Sequence, residues 1–200
     1  MKEEKNNYKF DPEKIIQLSS SITSVNIFKN FENYNDRITI SQVVRFFERH
    51  NITFTKTMIQ NYVRVGILPP PIDRRYYIKN HLILLTVIYN LKEVYSLEEI
   101  GNIFKPITND SNTFDDDILD MGNIYNEYIS LYEKSIKDFT ESIPTLLNRV
   151  LETTNAFDID GKDKEKVLFF LTMLTIMTQS IATKELVRLM STSNRYEEKQ

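Results

Sequence analysis

The sequence predicts a mainly α-helical protein, and three observations support this fold class. The 200 residues are 41% hydrophobic whereas glycine (4) and proline (6) are scarce, a composition that favours helices over a β-sandwich. Apolar residues recur at helical spacing through most of the chain beyond residue 37. Several of these runs follow residues that commonly begin helices, among them Asp11, Thr39 and Ser96.

Residues 1–36 are predicted to form a short helix and a linker. Asp11 is an N-cap followed by proline at the first helical position, so a helix is expected from about Pro12 to Ser20. Residues 21–36 are polar and rich in asparagine, and we interpret them as a linker that docks on the core. The first residues are mixed in charge without an apolar core, so a signal peptide is not expected.

Two short amphipathic helices are predicted next, at the start of a domain over residues 37–107. Thr39 caps the first, ISQVVRFFERHN, whose apolar residues lie on one face. Thr55 caps the second, KTMIQNYVR, which Gly66 should end in the left-handed conformation. Two such helices joined by a tight loop have the proportions of a helix-turn-helix.

The segment VGILPPPIDRRYY (65–77) should end the second helix and force the chain into an extended path. The residues after the prolines suffice for a small two-stranded hairpin, or wing, that carries Arg74 and Arg75. An apolar helix is predicted over 80–94, and the capping box SLEE (96–99) opens a further one.

Residues 108–200 are predicted to be an α-helical dimerisation bundle. A long helix over about 116–151 carries an apolar stripe, and Pro144 should kink it or break it in two. A second helix over about 164–190 is apolar on most of its circumference, so other protein must surround it. Burial against a second copy would avoid a large exposed patch, which predicts a homodimer built by these two helices.

The charge is divided unevenly along the chain. Residues 37–105 hold ten Lys or Arg and five Asp or Glu, a net +5, whereas residues 106–200 hold ten and seventeen, a net −7. A basic module joined to an acidic one indicates two roles, with an anionic partner for the first. The uncharged run over 167–183 lies at the short limit for a membrane span, but threonines interrupt it and a buried helix is expected, without a membrane partner.

No residue pattern predicts catalysis or a cofactor. The chain has no cysteine, which fits a reducing cytoplasm and excludes disulfides and thiolate metal sites. His50 and His81, far apart in sequence, supply too few ligands for a metal site. Phosphate loops and nucleophile motifs are missing, so an enzyme is not expected.

The order of these motifs resembles the DNA-binding domain of the mercury-resistance-regulator (MerR) family. The resemblance covers about residues 37–107 and is carried by VGILPPP (65–71), by RYY (75–77) and by SLEEIGNIF (96–104). More closely, the chain resembles an uncharacterised MerR-like domain-of-unknown-function family of low-GC Gram-positive bacteria. The resemblance implies an N-terminal winged helix-turn-helix with a small β wing. It also implies a bacterial, cytoplasmic transcription regulator that binds double-stranded DNA as a homodimer on a pseudo-palindromic operator.

Ten residues are predicted to contact DNA: Arg45, Thr55, Lys56, Thr57, Gln60, Asn61, Arg64, Arg74, Arg75 and Tyr77. The two wing arginines should contact phosphates, and the amides of Gln60 and Asn61 can read adenine edges. The entry of the second helix, residues 55–57, should lie nearest the bases. Tyr77 either packs the wing or contacts the DNA backbone, and the sequence leaves both roles open.

The second helix departs from the MerR pattern at one position. Gln60 stands where that family usually carries arginine, so one expected phosphate contact is weakened. Arg45, Lys56 and Arg64 are the cations that can compensate for it.

Two other classes of function remain open. The first is a protein-interaction module whose winged helix has lost DNA affinity. The second is a sensor or enzyme that takes an unknown small molecule in a pocket of the C-terminal helices, lined by Tyr125, Tyr128, Tyr132 and Phe169.

Overall fold

The computed structural model describes residues 10–22, 37–107, 113–114 and 121–197. Over these ranges the protein is mainly helical with one small sheet, which confirms the expected fold class. The elements are α1 (Pro12–Ser20), β1 (Ile38–Thr39), α2 (Ile40–Glu48), α3 (Lys56–Arg64), β2 (Tyr76–Tyr77), α4 (Lys79–Leu91), α5 (Leu97–Phe104), α6 (Met121–Thr154) and α7 (Gly161–Glu197). The linker expected over 21–36 and the start of the long helix expected near 116 lie largely or wholly outside the described residues.

The described residues form two compact units. Residues 37–107 group with 113–114, 121–130 and 194–197, and we call this the N-unit. Residues 10–22 group with 131–193, and we call this the C-unit. The division between the two units falls inside α6, after residue 130, and the N-terminal helix α1 groups with the C-terminal helices.

The helix starts in the N-unit follow the caps that the sequence predicts. Before α2, both the backbone N–H and the hydroxyl of Thr39 donate to Gln42 Oε1 at 2.8 Å. At α3, Thr55 Oγ1 accepts from the Met58 N–H at 3.1 Å. Gly66 follows α3 with φ 77°, the left-handed conformation that ends helices at low steric cost.

The sheet of the N-unit is antiparallel and joins distant parts of the chain. Ile38 pairs with Tyr77 and Thr39 with Tyr76, while Ile72 forms a single bridge to Tyr76 on the other side. The expected hairpin is therefore reduced to one bridge. The longer ladder of β2 is with the strand that precedes α2, which fixes the wing to the start of the helix pair.

One apolar core fills the N-unit, and α6 completes it. Phe47 of α2, Phe54 of the connection and Ile59 of α3 are almost fully buried together with Leu85 of α4. Three residues from the first turns of α6 join the same cluster: Met121, Tyr125 and Ile129. The start of α6 is thus part of this core, although the sequence places it in the following domain.

The C-unit packs α1, α6 and α7 around a second apolar cluster. The buried residues of this cluster are Phe10, Ile143, Leu146, Leu147, Val150 and Leu168. Thr140 Oγ1 of α6 donates to the Ser19 carbonyl oxygen at 3.3 Å, which ties α1 to α6. Pro144 was predicted to kink the long helix or to break it in two. It does not break the helix, because α6 continues on both sides of this exposed residue.

Much of α7 remains uncovered within the C-unit. A stripe of apolar side chains at helical spacing is more than 40% exposed: Phe170, Met173, Leu174, Met177 and Ile181. The hydroxyls of Thr172, Thr175 and Thr178 donate to carbonyl oxygens four residues earlier, so this polar content is satisfied within the helix. By length and composition Gly161–Thr192 could also cross a membrane, a weak indication because helices covered by protein pass the same test.

Candidate nucleic-acid interface

The exposed face of α3 is polar and carries a cation at each end of the helix, Lys56 and Arg64. Thr57, Gln60 and Arg64 are exposed, Asn61 is half-exposed, and their spacing places all four on one side of the helix. Ile59 and Tyr62 lie on the opposite side and are buried in the core. This division leaves α3 anchored by its apolar face with amide, hydroxyl and guanidinium groups directed to solvent. We call these four residues the α3 face.

Two residues of the α3 face are hydrogen-bonded to each other. Arg64 Nη2 donates to Asn61 Oδ1 at 2.6 Å. A charge-assisted bond of this kind restricts both side chains. It also occupies part of the acceptor that an asparagine uses to read the N6 amine of adenine.

The N-terminal end of α3 combines a cation with the positive end of the helix dipole. Lys56 is the first helical residue and its side chain is exposed. The positive end of the helix dipole lies at the same place, so both favour an anion such as phosphate. The Thr55 hydroxyl is exposed and acts as the cap by accepting from Met58 N–H.

The helix α2 presents a second exposed basic face. Gln42, Arg45 and Arg49 are exposed at spacings of three and four residues, which places them on one side of α2. The other side of α2 packs against α3 and against both strands. Arg49 was not among the residues predicted to contact DNA, although its spacing from Arg45 is the signal that could have identified it.

The wing is a tight turn with an unusual backbone. Asp73 and Arg74 have φ of 52° and 58°, the left-handed region that non-glycine residues adopt at a cost. The turn is held because Ile72 and Tyr76 exchange both backbone hydrogen bonds, at 2.7 and 2.8 Å. Arg74 and Arg75 are both exposed, and the Arg75 guanidinium lies 5.3 Å from the centre of the Tyr76 ring. The wing arginines are thus presented to solvent, as the sequence predicts.

An ion pair at the wing was not predicted. Arg37 Nη1 lies 2.9 Å from Asp73 Oδ2, and both side chains are more than half exposed. The two residues are 36 positions apart in sequence, so only the pairing of β1 with β2 brings them together. The pair offsets part of the positive charge at the wing and adds Arg37 to the cations around it.

Tyr77 is a core residue. Its side chain is 3% exposed, and its ring centre lies 5.1 Å from that of His81. Burial raises the pKa of the Tyr77 phenol. Of the two roles left open by the sequence, packing the wing is the one that its position permits.

His81 contacts the backbone on both sides of the wing. Its side chain is fully buried, Nδ1 accepts from the Ile78 N–H at 3.1 Å, and Nε2 lies 3.2 Å from the Pro70 carbonyl oxygen. These bonds require the neutral ring with its proton on Nε2. Desolvation by burial lowers the pKa of His81 to about 4, despite opposing backbone hydrogen bonds.

The tyrosine-lined pocket expected in the C-terminal helices is not formed as one site within either unit. Tyr125 is buried in the core of the N-unit with Tyr128 packed against that core. Tyr132 and Phe169 belong to the C-unit.

The described residues thus define a mainly α protein with a small sheet and an exposed polar, basic helix face. A family model described as a domain of unknown function (DUF1836) matches residues 26–128, and the chain belongs to this family. The matched segment ends close to residue 130, where the N-unit ends within α6. Comparisons with curated proteins and with solved structures find no match.

Proposed function

We propose that this protein is a cytoplasmic, bacterial DNA-binding transcription regulator, with the N-unit as a winged helix-turn-helix. The observation that carries the proposal is the α3 face, in which groups that can read base edges are exposed on a helix anchored by its other side. The resemblance of residues 37–107 to MerR regulators supports the same assignment.

The cations around the α3 face have positions suited to phosphate contacts. Arg45 lies on α2 and Arg49 at its C-cap, Lys56 lies at the start of α3, and Arg74 and Arg75 lie at the wing, all exposed. In this proposal the entry of α3 lies in the major groove, while α2 and the wing contact the flanking backbone. The cations on α2 and at Lys56 replace the phosphate contact that Gln60 cannot make.

The proposal includes a homodimer formed through α7. The apolar stripe from Phe170 to Ile181 is exposed within one chain, and soluble proteins rarely leave such a stripe uncovered. The hydroxyls of Thr172 and Thr178 donate to carbonyl oxygens of α7 itself, so they keep their acceptors when the stripe is buried. A two-fold dimer would also supply the symmetry that paired operator half-sites require.

The experiment that tests this function is selection of bound genomic fragments by the purified full-length protein, followed by titration at several salt concentrations. Enrichment of a pseudo-palindromic sequence, with affinity falling steeply as salt rises, is the expected result. Failure to enrich any sequence would contradict the proposal.

A protein-interaction module is the alternative that specific observations favour. Gln60 removes one expected cation from α3, and the Arg37–Asp73 pair offsets charge at the wing. A module of this kind would bind DNA negligibly even at low salt, so the same titration distinguishes the two functions.

A further inference from the structure

The N-unit contains a pocket of about 570 Å³ beside the chain that leaves α3. Its walls come from the exit segment 65–69, from Leu84 of α4, from α5, and from Phe114 and Met121. A volume of this size is typical of sites that hold a small organic molecule. The described lining includes no residue of the α3 face, so the pocket is separate from the proposed DNA contacts.

The inner wall of the pocket is apolar. Ile67, Leu84 and Met121 line it and are buried, while Phe114 contributes a half-buried ring. Gly101 lets α5 approach the exit segment, because a Cβ at that position would lie 3.2 Å from Ile67 Cγ2. An apolar body would replace water against these side chains, which is favourable in proportion to the area it covers.

The mouth of the pocket carries charge. Lys105 and Glu98 line the pocket and are exposed, so they lie where it meets solvent. Lys105 Nζ donates to Asn102 Oδ1 at 3.1 Å, which places an ammonium and an amide together at one end. Glu98 is two helical turns earlier on α5, about 10 Å along the axis.

We propose that this pocket binds a small carboxylate with an apolar body. The carboxylate pairs with the Lys105 ammonium, and the apolar body lies against Ile67, Leu84 and Phe114. This site does not depend on DNA binding, so it stands or fails separately from the function proposed above.

The test uses two fluorescent probes with the full-length protein. One is 1-anilinonaphthalene-8-sulfonate, an apolar anion, and the other is N-phenyl-1-naphthylamine, which has the same rings without the charge. The variant Val65→Trp adds bulk at the mouth on an exposed side chain that lines the pocket. We expect this variant to lose the saturable component of binding for both probes. Probe that binds apolar surface outside the pocket contributes a background that this variant leaves unchanged.

The charge is tested with Lys105→Gln. We expect affinity for the anionic probe to fall about fivefold while that for the neutral probe stays within about twofold, as for loss of one exposed ion pair. Lys134→Gln, at an exposed lysine of α6 outside the pocket, is the control and should change neither. Displacement of the anionic probe by decanoate checks that a carboxylate occupies the same place.

Two results would overturn the proposal. Unchanged titrations for Val65→Trp would exclude the pocket, and if that variant does not fold, Leu97→Phe, at another lining residue, decides the same question. An equal effect of Lys105→Gln on both probes, or none on either, would exclude the carboxylate.

Discussion

The Nε2 atom of His81 lies 3.2 Å from the carbonyl oxygen of Pro70, so a residue of α4 is hydrogen-bonded to the proline segment that leads to the wing. Nδ1 of the same ring accepts from the N–H of Ile78, just before α4. Because the bond at Nδ1 needs an unprotonated nitrogen, protonation of His81 would break it. The wing is therefore attached to α4 through a neutral imidazole.

This attachment predicts a pH dependence of stability. The pKa of His81 is about 4 in the folded protein against an ordinary value of 6.5, so the unfolded chain binds more protons between these values. The free energy of unfolding should therefore fall as the pH drops from about 7 to about 4, by about 3 kcal/mol from this residue. Urea unfolding at a series of pH values measures it.

Two variants identify the residue responsible. His81→Gln keeps an acceptor that can reach the Ile78 N–H, as Gln42 does at α2, but cannot be protonated. Its unfolding free energy should be lower at neutral pH by about 1–3 kcal/mol and lose this part of the pH dependence. His50→Gln, at the exposed histidine, is the control. A wild-type pH profile in His81→Gln would refute the assignment.

The wing arginines should affect affinity without affecting sequence preference. Replacing Arg74 and Arg75 by alanine should weaken binding to all DNA sequences similarly and lower the salt slope by about one per lost phosphate contact. Thermal stability should barely change because both side chains are exposed. Shift assays at several salt concentrations measure the slope, and unchanged affinity would exclude the wing as a contact.

The variant Arg74→Gly separates the effect of the Arg74 charge on DNA affinity from the effect of its backbone conformation on stability. Arg74 has a φ of 58°, which glycine adopts without the steric cost of a side chain. We expect this variant to be as stable as the wild type or more so, while losing affinity for DNA like Arg74→Ala. Lower stability than Arg74→Ala in thermal unfolding would contradict this account of the turn.

Sequence preference should depend most on the entry of α3. Lys56→Ala and Thr57→Ala should alter the preferred sequence more than Arg64→Ala, because recognition helices usually insert their N-terminal ends. Arg64 is also held by Asn61 on the half of α3 nearer its C-terminus. Selection from random DNA with each variant measures the preference. A uniform loss at every sequence for all three variants would contradict this orientation of α3.

The proposed dimer predicts the mass in solution. Light scattering on the full-length protein should report about twice the 23.7 kDa chain mass. Replacing Met177 and Ile181 by lysine places two charges in the exposed apolar stripe and should give the monomer mass. Gln179→Lys, on the opposite side of α7, is the matched control and should remain dimeric. A monomeric wild type at micromolar concentration would exclude the dimer.

The core of the N-unit predicts where the chain can be truncated. A fragment ending at residue 107 lacks Met121, Tyr125 and Ile129, which are buried in that core. Losing several buried side chains costs about 2–5 kcal/mol each, so the fragment 37–107 should be unfolded or nearly so. The fragment 37–130 should fold and unfold cooperatively by circular dichroism. Equal stability of the two fragments would contradict the place of α6 in this core.

Local features of the fold were determined by the sequence itself. Four helices begin after residues that cap the first turn or pair with its third residue: Asp11, Thr39, Thr55 and Ser96. Gly66 ends α3. These interactions join residues three or four positions apart, so they can be read along the chain. The face of α3 was predictable for the same reason, because helical periodicity alone separates Ile59 and Tyr62 from Gln60 and Arg64.

Contacts between distant residues were decided only by the tertiary structure. The pairing of Ile38 with Tyr77 brings Arg37 to Asp73 and buries Tyr77, and nothing local to these residues indicates it. The boundary within α6 is of the same kind: its apolar stripe is continuous, and only the packing partners differ on either side of residue 130. Helical periodicity gives the direction of a side chain but not the surface against which it packs, because the packing partner depends on how segments distant in sequence fold together.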